Sequence, residues 1–263
     1  MRLVTWNINS IRQRLHLLRQ LDDEYNPDVV CFQETKAQNT DFPMEDIKAL
    51  GFPHVYIVGM KGYNGVAICS KLPLENETQK DWVGKSDCRH QSVTLPNGIE
   101  VHNFYVPAGG DEPNPEANEK FDHKLKFLAE MTDWFPAEKD NSKPMILVGD
   151  LNIAPLEEDV WSHKQLLKVV SHTPIEVEAL NKVMDAFGWV DAMRQIIPTP
   201  EKLYSWWSYR SRDWRKANKG RRLDHIWITE PLKDKVKDLK VIVDARGWEK
   251  PSDHAPVLIE LED

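Results

Sequence analysis

The chain has 263 residues, 41% of them hydrophobic, enough to bury a substantial core within one large domain. No stretch approaches the ~20 consecutive apolar residues of a membrane span, and MRLVTWNINS enters an apolar segment with no basic-then-apolar leader before it. The net charge of −8, taken as a whole-chain average, argues against a polyanionic partner.

Taken in order, RLVTWNI (2–8) reads as a strand. A helix over 11–25 follows, with Ser10 as N-cap and Ile11, Leu15, Leu18, Leu21 and Tyr25 on one face. Strands are expected at 28–33 (DVVCFQ), 54–59 (HVYIVG), 65–70 (GVAICS) and 101–106 (VHNFYV). The pattern Phe121, Leu125, Leu128, Met131, Phe135 predicts a helix over 117–135, with Asp122 and His123 on its solvated side. Another strand covers 145–153 (MILVGDLNI). Thr173-Pro174-Ile175-Glu176 is a capping box with proline at the first helical position, and Gly188 is the stop. The last strands fall at 222–228, 240–245 and 255–261. No repeat or linker is visible. Strands outnumber helices, which predicts two packed sheets covered by helices, all in a single domain over 1–263. Cys31, Cys69 and Cys88 form no C-x-x-C pair, so they are expected as reduced thiols of a cytoplasmic protein, Cys31 and Cys69 inside apolar strands.

Chemistry enters where polar residues close these strands. Burying an amide or carboxylate costs several kcal/mol unless it is paired or coordinates a metal. Asn7 closes the first strand and Glu34 the second. Asp150 and Asn152 follow MILVG, Asp224 lies in RRLDHIWI, and Asp253-His254 precede APVLIEL. Any one of these alone reads better as a turn former or cap. Five sites of the same kind point to one acidic pocket where strand ends converge. Oxygen donors without thiolates select Mg²⁺ or Mn²⁺ over zinc, and such an ion beside a carboxylate and an imidazole suits water attack on a phosphate ester.

Residues 202–222 (KLYSWWSYRSRDWRKANKGRR) carry eight Lys/Arg against one acid, with five aromatics interleaved. That local asymmetry fits a loop that neutralises phosphates and stacks on an extruded sugar or base. For Tyr204 and Trp207 a plain core role is an equal alternative. Trp6 is expected to face the core. His225 is expected to be structural, because period-2 alternation turns it away from Asp224.

LVTWNINSIR, FQETK, NFYVPAGG, GDLNIAP, RRLDHIWI and KPSDHAPV, in this order, resemble the signature blocks of the exonuclease III family of abasic-site endonucleases, within the deoxyribonuclease I-like endonuclease/exonuclease/phosphatase superfamily. The resemblance covers the whole chain. It implies a four-layer α/β sandwich of two mostly antiparallel sheets flanked by helices. It also implies hydrolysis, with Mg²⁺ (Mn²⁺ as substitute), of the phosphodiester 5′ to abasic sites in duplex DNA, with 3′→5′ exonuclease and 3′-phosphatase activity on blocked 3′ ends, by a monomer. In this resemblance Glu34 is the principal metal ligand, with Asn7 beside it and Asp253 as a secondary ligand. Asp150 orients or deprotonates the attacking water, and Asn152 neighbours the phosphate. His254 contacts the scissile phosphate, steered by Asp224, and Tyr105 lies near the phosphate or leaving oxygen; simple packing at its strand end is the alternative for Tyr105. Trp206 and Leu223 wall the abasic sugar, and Tyr63 and Asn64, next to Gly62, lie in a loop used against the DNA backbone. Two positions depart from the family pattern on the DNA side: Ala108 replaces an amide side chain, and Arg221 stands where some relatives have an aromatic.

Two other classes of function compete. A soluble phosphoesterase for inositol phosphates or phospholipids would share the metal core but has no use for the tryptophan-rich basic loop. A non-catalytic DNA-binding module would have lost core polar residues, and none is missing.

Overall fold

The computed structural model describes residues 1–262. In chain order the strands are β1 (Arg2–Asn7), β2 (Val29–Gln33), β3 (His54–Val58), β4 (Val66–Ser70), β5 (Glu75–Gln79), β6 (His90–Thr94), β7 (Glu100–Tyr105), β8 (Met145–Asp150), β9 (Val190–Asp191), β10 (Trp206–Trp207), β11 (Gly220–Arg221), β12 (Asp224–Ile228), β13 (Val236–Val241) and β14 (Val257–Leu261). The helices are α1 (Ile11–Tyr25), α2 (Met44–Ala49), α3 (Glu119–Glu138), α4 (His163–Leu166), α5 (Pro174–Phe187), α6 (Ala192–Ile196) and α7 (Trp214–Ala217).

The strands form two six-stranded sheets, β13-β14-β1-β2-β4-β3 and β5-β6-β7-β8-β12-β9, plus the small ribbon β10-β11. Each large sheet has one parallel pair near its centre, β1–β2 and β7–β8, and antiparallel neighbours elsewhere. A parallel pair needs a crossover, and α1 and α3 supply the two.

Period-2 alternation assigns the layers. Leu3, Val29, Cys31 and Ile68 of the first sheet meet Val101, Ile146, Val148 and Ile226 of the second in an apolar core between the sheets. The opposite faces take helices. Val4, Trp6, Val30 and Phe32 pack against Leu17, Leu18 and Leu21 of α1. Phe104, Leu147 and Trp227 pack against Phe127, Met131 and Phe135 of α3 and Leu180 and Val183 of α5. The result is the two packed sheets covered by helices that the pattern predicts, and the four-layer α/β sandwich that the resemblance implies.

The capping box at Thr173 and Glu176 is formed, and Gly188 ends α5 in the left-handed region at φ 77°. Other expectations need correction. Ser10 occupies the N-cap position of α1, but its hydroxyl makes no cap hydrogen bond because its backbone is at φ 85°. Leu17 takes a core place on that helix while Leu15 and Tyr25 stay half-buried, since the helix is irregular at Arg14. His123 is buried, its Nε2 3.3 Å from Asp87 Oδ2, rather than solvated. The strand expected at 240–245 ends at Val241, and 243–247 is a 3₁₀ turn. β5 and β6 were not anticipated, because ENETQ is wholly exposed and HQSVT is polar although mostly buried.

Candidate active site

The parallel pairs decide where the site lies. Strands that run parallel end on the same edge, and in open α/β sheets ligands bind at the carboxyl ends of such strands. Asn7 is the last residue of β1, Glu34 follows β2, Tyr105 ends β7 and Asp150 ends β8. Asp224 begins β12 directly opposite Asp150 in the antiparallel register. Asp253 and His254 enter just ahead of β14. Six chain segments therefore deliver their polar residues to one place.

Local backbone makes the delivery possible. Gly149 sits at φ 141° with its Cα against the Phe104 backbone, where any Cβ would collide, so β7 and β8 approach closely just before Asp150. Glu34 and Asn152 are left-handed, at φ 49° and 55°. That conformation costs a non-glycine residue about 1 kcal/mol. At Glu34 it is held by backbone bonds on both sides, Ser10 N to Glu34 O at 2.8 Å and Thr35 N to Gly65 O at 3.1 Å.

Three side-chain pairs then bridge the two sheets. Asn7 Nδ2 donates to Asp150 Oδ2 at 2.9 Å. The Tyr105 hydroxyl donates to Glu34 Oε1. His254 Nδ1 lies 2.8 Å from Asp224 Oδ2, and its Nε2 points toward Asp150 Oδ2 at 3.6 Å. Asn152 N donates to Asp150 Oδ1 at 3.0 Å, and its amide uses one N–H on Val106 O at 2.9 Å. Asp253 accepts from Asn9 Nδ2 at 3.1 Å and Trp206 Nε1 at 2.9 Å.

Electrostatics follow from this crowding. Burial pushes the Asp150 carboxyl up, and the neighbouring charges of Asp224 and Glu34 add to the shift against His254 and the Asn7 amide. Burial alone would lower the His254 imidazole, but Asp224 and Asp150 outweigh it and raise its pKa, so it is held as a cation. Burial, with the charges of Glu34 and Asp150, pushes the Tyr105 phenol well above its ordinary value, so it stays a donor. Burial also opposes charge on Asp253, yet His254, Trp206 and Asn9 keep that carboxylate below the usual range.

These residues suit a divalent cation on two grounds. Carboxylate oxygens of Asp150 and Asp224 lie within 4.8 Å of one another, and Asp224 Oδ1 is buried with no partner. The surrounding donors, Glu34 included, are hard oxygens whose mutual repulsion a cation would relieve.

Glu34, Tyr105, Asp150, Asn152, Asp253 and His254 line a groove of about 880 Å³. Its far wall is built from the basic aromatic segment, including Trp206, Arg221 and Leu223. Trp207 also borders the groove but is buried, with its Nε1 donating to Asn218 Oδ1 at 3.0 Å, and Tyr204 is half-buried beside it. Trp6 is buried and donates from Nε1 to His254 O at 3.0 Å. His225 is buried with Nε2 on Ile153 O at 2.8 Å, away from the groove. Tyr63, 60% exposed, and Asn64 line an adjoining depression that shares Tyr105 and Ala108 with the groove. Asn64 itself is buried, its amide donating to Asp87 O at 2.9 Å.

Sequence reasoning passed over Asn9 and Lys36, which stand beside the site. Lys36 Nζ lies 2.7 Å from Asn9 Oδ1 and 3.0 Å from Glu34 Oε2. Both sit inside quoted motif blocks, NINSIR and FQETK, which was the available signal. It also passed over Trp161 and Lys219, whose ammonium lies 4.5 Å from the Trp161 ring centroid at the groove.

The profile of the Endonuclease/Exonuclease/phosphatase family matches residues 4–254. The chain belongs to this family, within its exonuclease III and AP endonuclease branch, and is a hydrolase of DNA phosphodiester bonds used in DNA repair. It is 32% identical over 277 residues to exodeoxyribonuclease III of Haemophilus influenzae, covering 100% of both chains. Among solved structures it matches an AP endonuclease from Archaeoglobus fulgidus with a TM-score of 0.93, 34% identity and 100% of both chains covered. It also matches a 3′ phosphatase from Neisseria bound to a product DNA hairpin, with a TM-score of 0.90, 28% identity and 100% of both chains covered. No helix among the described residues is long and apolar enough to cross a membrane.

Proposed function

We propose that this nuclease cuts duplex DNA on the 5′ side of abasic sites, and trims blocked 3′ ends, as a Mg²⁺-dependent monomer acting through one domain. The observation that carries the reading is the groove itself. It joins a buried carboxylate–imidazole cluster to an aromatic and cationic wall, so hydrolysis and DNA recognition share one space.

In this reading Glu34 holds the cation with Asn7 beside it, and Asp253 supports it from the far side. Once bound, the cation supplies charge stabilisation to the phosphoryl oxygens. Asp150, whose burial raises its proton affinity, takes the proton of the attacking water. His254, cationic through Asp224, donates toward a phosphate oxygen as charge builds there. Asn152 contributes its second amide N–H to the same phosphate, and Tyr105 donates near the leaving oxygen. Trp206 and Leu223 receive the extruded sugar, which is the least costly nucleotide to flip because it has no base to unstack. Tyr63, from the loop that Asn64 ties to Asp87 O, meets the DNA backbone beyond the groove, and Arg221 meets it within the groove.

The test is a 5′-labelled duplex with one stabilised abasic residue, incubated with Mg²⁺, with Mn²⁺ and with EDTA. A single product ending in 3′-hydroxyl next to the lesion, lost in EDTA, is the expected result. Faster turnover of a soluble inositol phosphate in direct competition would instead support the phosphoesterase reading.

A further inference from the structure

The ribbon β10-β11 sets three side chains in a row. Trp206 pairs with Arg221 on one side and bridges to His254 on the other. Residues directly opposed across strands project to the same face, so imidazole, indole and guanidinium stand side by side along the groove. With strands about 4.8 Å apart, the Arg221 backbone lies two rungs, roughly 10 Å, from that of His254.

The guanidinium is pinned but unpaired. Its centre is 5.3 Å from the Trp206 ring centroid. Nη1 donates to Val170 O at 3.1 Å and Ser171 Oγ at 2.8 Å. Nε is buried without an acceptor. The adjacent Arg222 makes the contrast: it is wholly buried and neutralised by Asp159 at 2.9 Å and Asp191 at 2.6 Å. No carboxylate lies within salt-bridge distance of Arg221 among the described residues; burial works against its charge and only the more distant Glu176, itself paired with Lys124, favours it. A half-buried cation without a salt-bridge partner, lining a groove that accepts a polyanion, suits an anionic ligand. Nonpolar or aromatic side chains at this position would offer a wall, whereas arginine offers a charge.

We infer that Arg221 is a specificity-determining residue that receives a backbone phosphate of the substrate strand, flanking the phosphate that is hydrolysed. The inference rests on the DNA-nuclease reading above. It makes the groove grip the strand at two phosphates, one at His254 and one at Arg221, with the extruded nucleotide between them against Trp206. A strand that stops short of the second phosphate loses this grip.

The experiment scans the abasic duplex with single neutral methylphosphonate linkages, within about three nucleotides of the scissile bond on each side, using the full-length enzyme and Mg²⁺. Arg221→Gln removes the charge while keeping a donor for Val170 or Ser171, and Arg221→Lys restores charge alone. Thermal unfolding checks that both variants fold. For the unaltered enzyme, one flanking linkage should raise KM about tenfold when neutralised. Arg221→Gln should show that tenfold rise on ordinary DNA and less than about a twofold further change at that linkage. Its dependence of log KM on log salt should flatten by about 0.9, the loss of one phosphate contact. Arg221→Lys should recover most of the salt slope and the linkage sensitivity. The inference is overturned if Arg221→Gln has the same linkage profile as the unaltered enzyme. It is equally overturned if the loss depends on a base at the processed nucleotide rather than on charge at a linkage. Failure of the unaltered enzyme to incise any abasic duplex would instead sink the nuclease reading itself.

Discussion

Changing Asp224 to asparagine keeps the shape of the buried contact to His254 and removes its charge. The 2.8 Å pair with Nδ1 does two things at once: it fixes which ring nitrogen faces the groove, and it favours the protonated ring. If the cationic ring stabilises charge on the phosphate, activity persists up to the raised pKa of His254 and falls above it. Asp224→Asn takes away the first of the carboxylates that raise that pKa and leaves Asp150, so the alkaline limb of the pH–rate profile moves to lower pH. His254→Asn removes the contact itself and should cost on the order of 10²-fold in kcat, or about 2.7 kcal/mol of transition-state stabilisation. Its effect on DNA affinity should be far smaller. Because the two residues work as a unit, the double variant should be little slower than His254→Asn alone. The assay is kcat and KM on an abasic duplex from about pH 5.5 to about pH 10, for the unaltered enzyme, both single variants and the double variant. Fully multiplicative losses, or an alkaline limb unmoved by Asp224→Asn, would refute the pairing and leave Asp224 an independent role.

Glu34→Gln should leave the fold intact, as judged by circular dichroism, but raise the Mg²⁺ concentration needed for half-maximal activity by an order of magnitude or more; normal incision at low Mg²⁺ would count against Glu34 as a ligand. Trp206→Ala should reduce incision at abasic sites about tenfold or more while leaving hydrolysis of a small phosphodiester much less affected, and equal losses on both substrates would indicate general packing. Stability should fall with acid through His225, whose burial holds it neutral with its pKa lowered to about 3. The unfolded chain takes up that proton near pH 6.5 and the folded chain does not, so stability is full above pH 6.5 and is lost as pH falls toward 3. Relative to alkaline pH the loss from this residue at about pH 5 is about 2 kcal/mol, readable by urea titration, and His225→Gln should flatten the dependence.

Much of the architecture was legible because the signals were local. Alternating Val and Ile marked the strands whose faces are both buried, such as Leu3–Val4 and Val29–Val30. The box at Thr173 and Glu176 placed the start of α5 to the residue. What stayed hidden depended on partners distant in the chain. Glu176 does more than cap its helix: it also pairs with the fully buried Lys124 of α3, whose ammonium reaches Ala108 O at 3.2 Å and Asn152 O at 2.9 Å. Nothing near Lys124 in sequence announces a buried lysine. In the same way β6 carries Gln91 and Ser92 in buried positions, and its strand identity comes from pairing with β7 rather than from its own residues. At the site, the run of polar strand ends indicated which segments meet. Which atom touches which, such as Nδ1 rather than Nε2 on Asp224, required the fold.

The three pairs that bridge the sheets have a mechanical consequence. Asn7–Asp150, Glu34–Tyr105 and His254–Asp224 each take one member from either side of the sandwich. Gln33 and Asn103 repeat the arrangement one step deeper, at 2.7 Å. The apolar side chains between the sheets therefore act as the spacer that sets the gauge of the active site. An added methylene at Val101 or Val148 would prise the sheets apart by a fraction of an ångström, a strain that a packed core passes on rather than absorbs. Turnover should register such a change before the melting temperature does, although no altered atom lies in the groove.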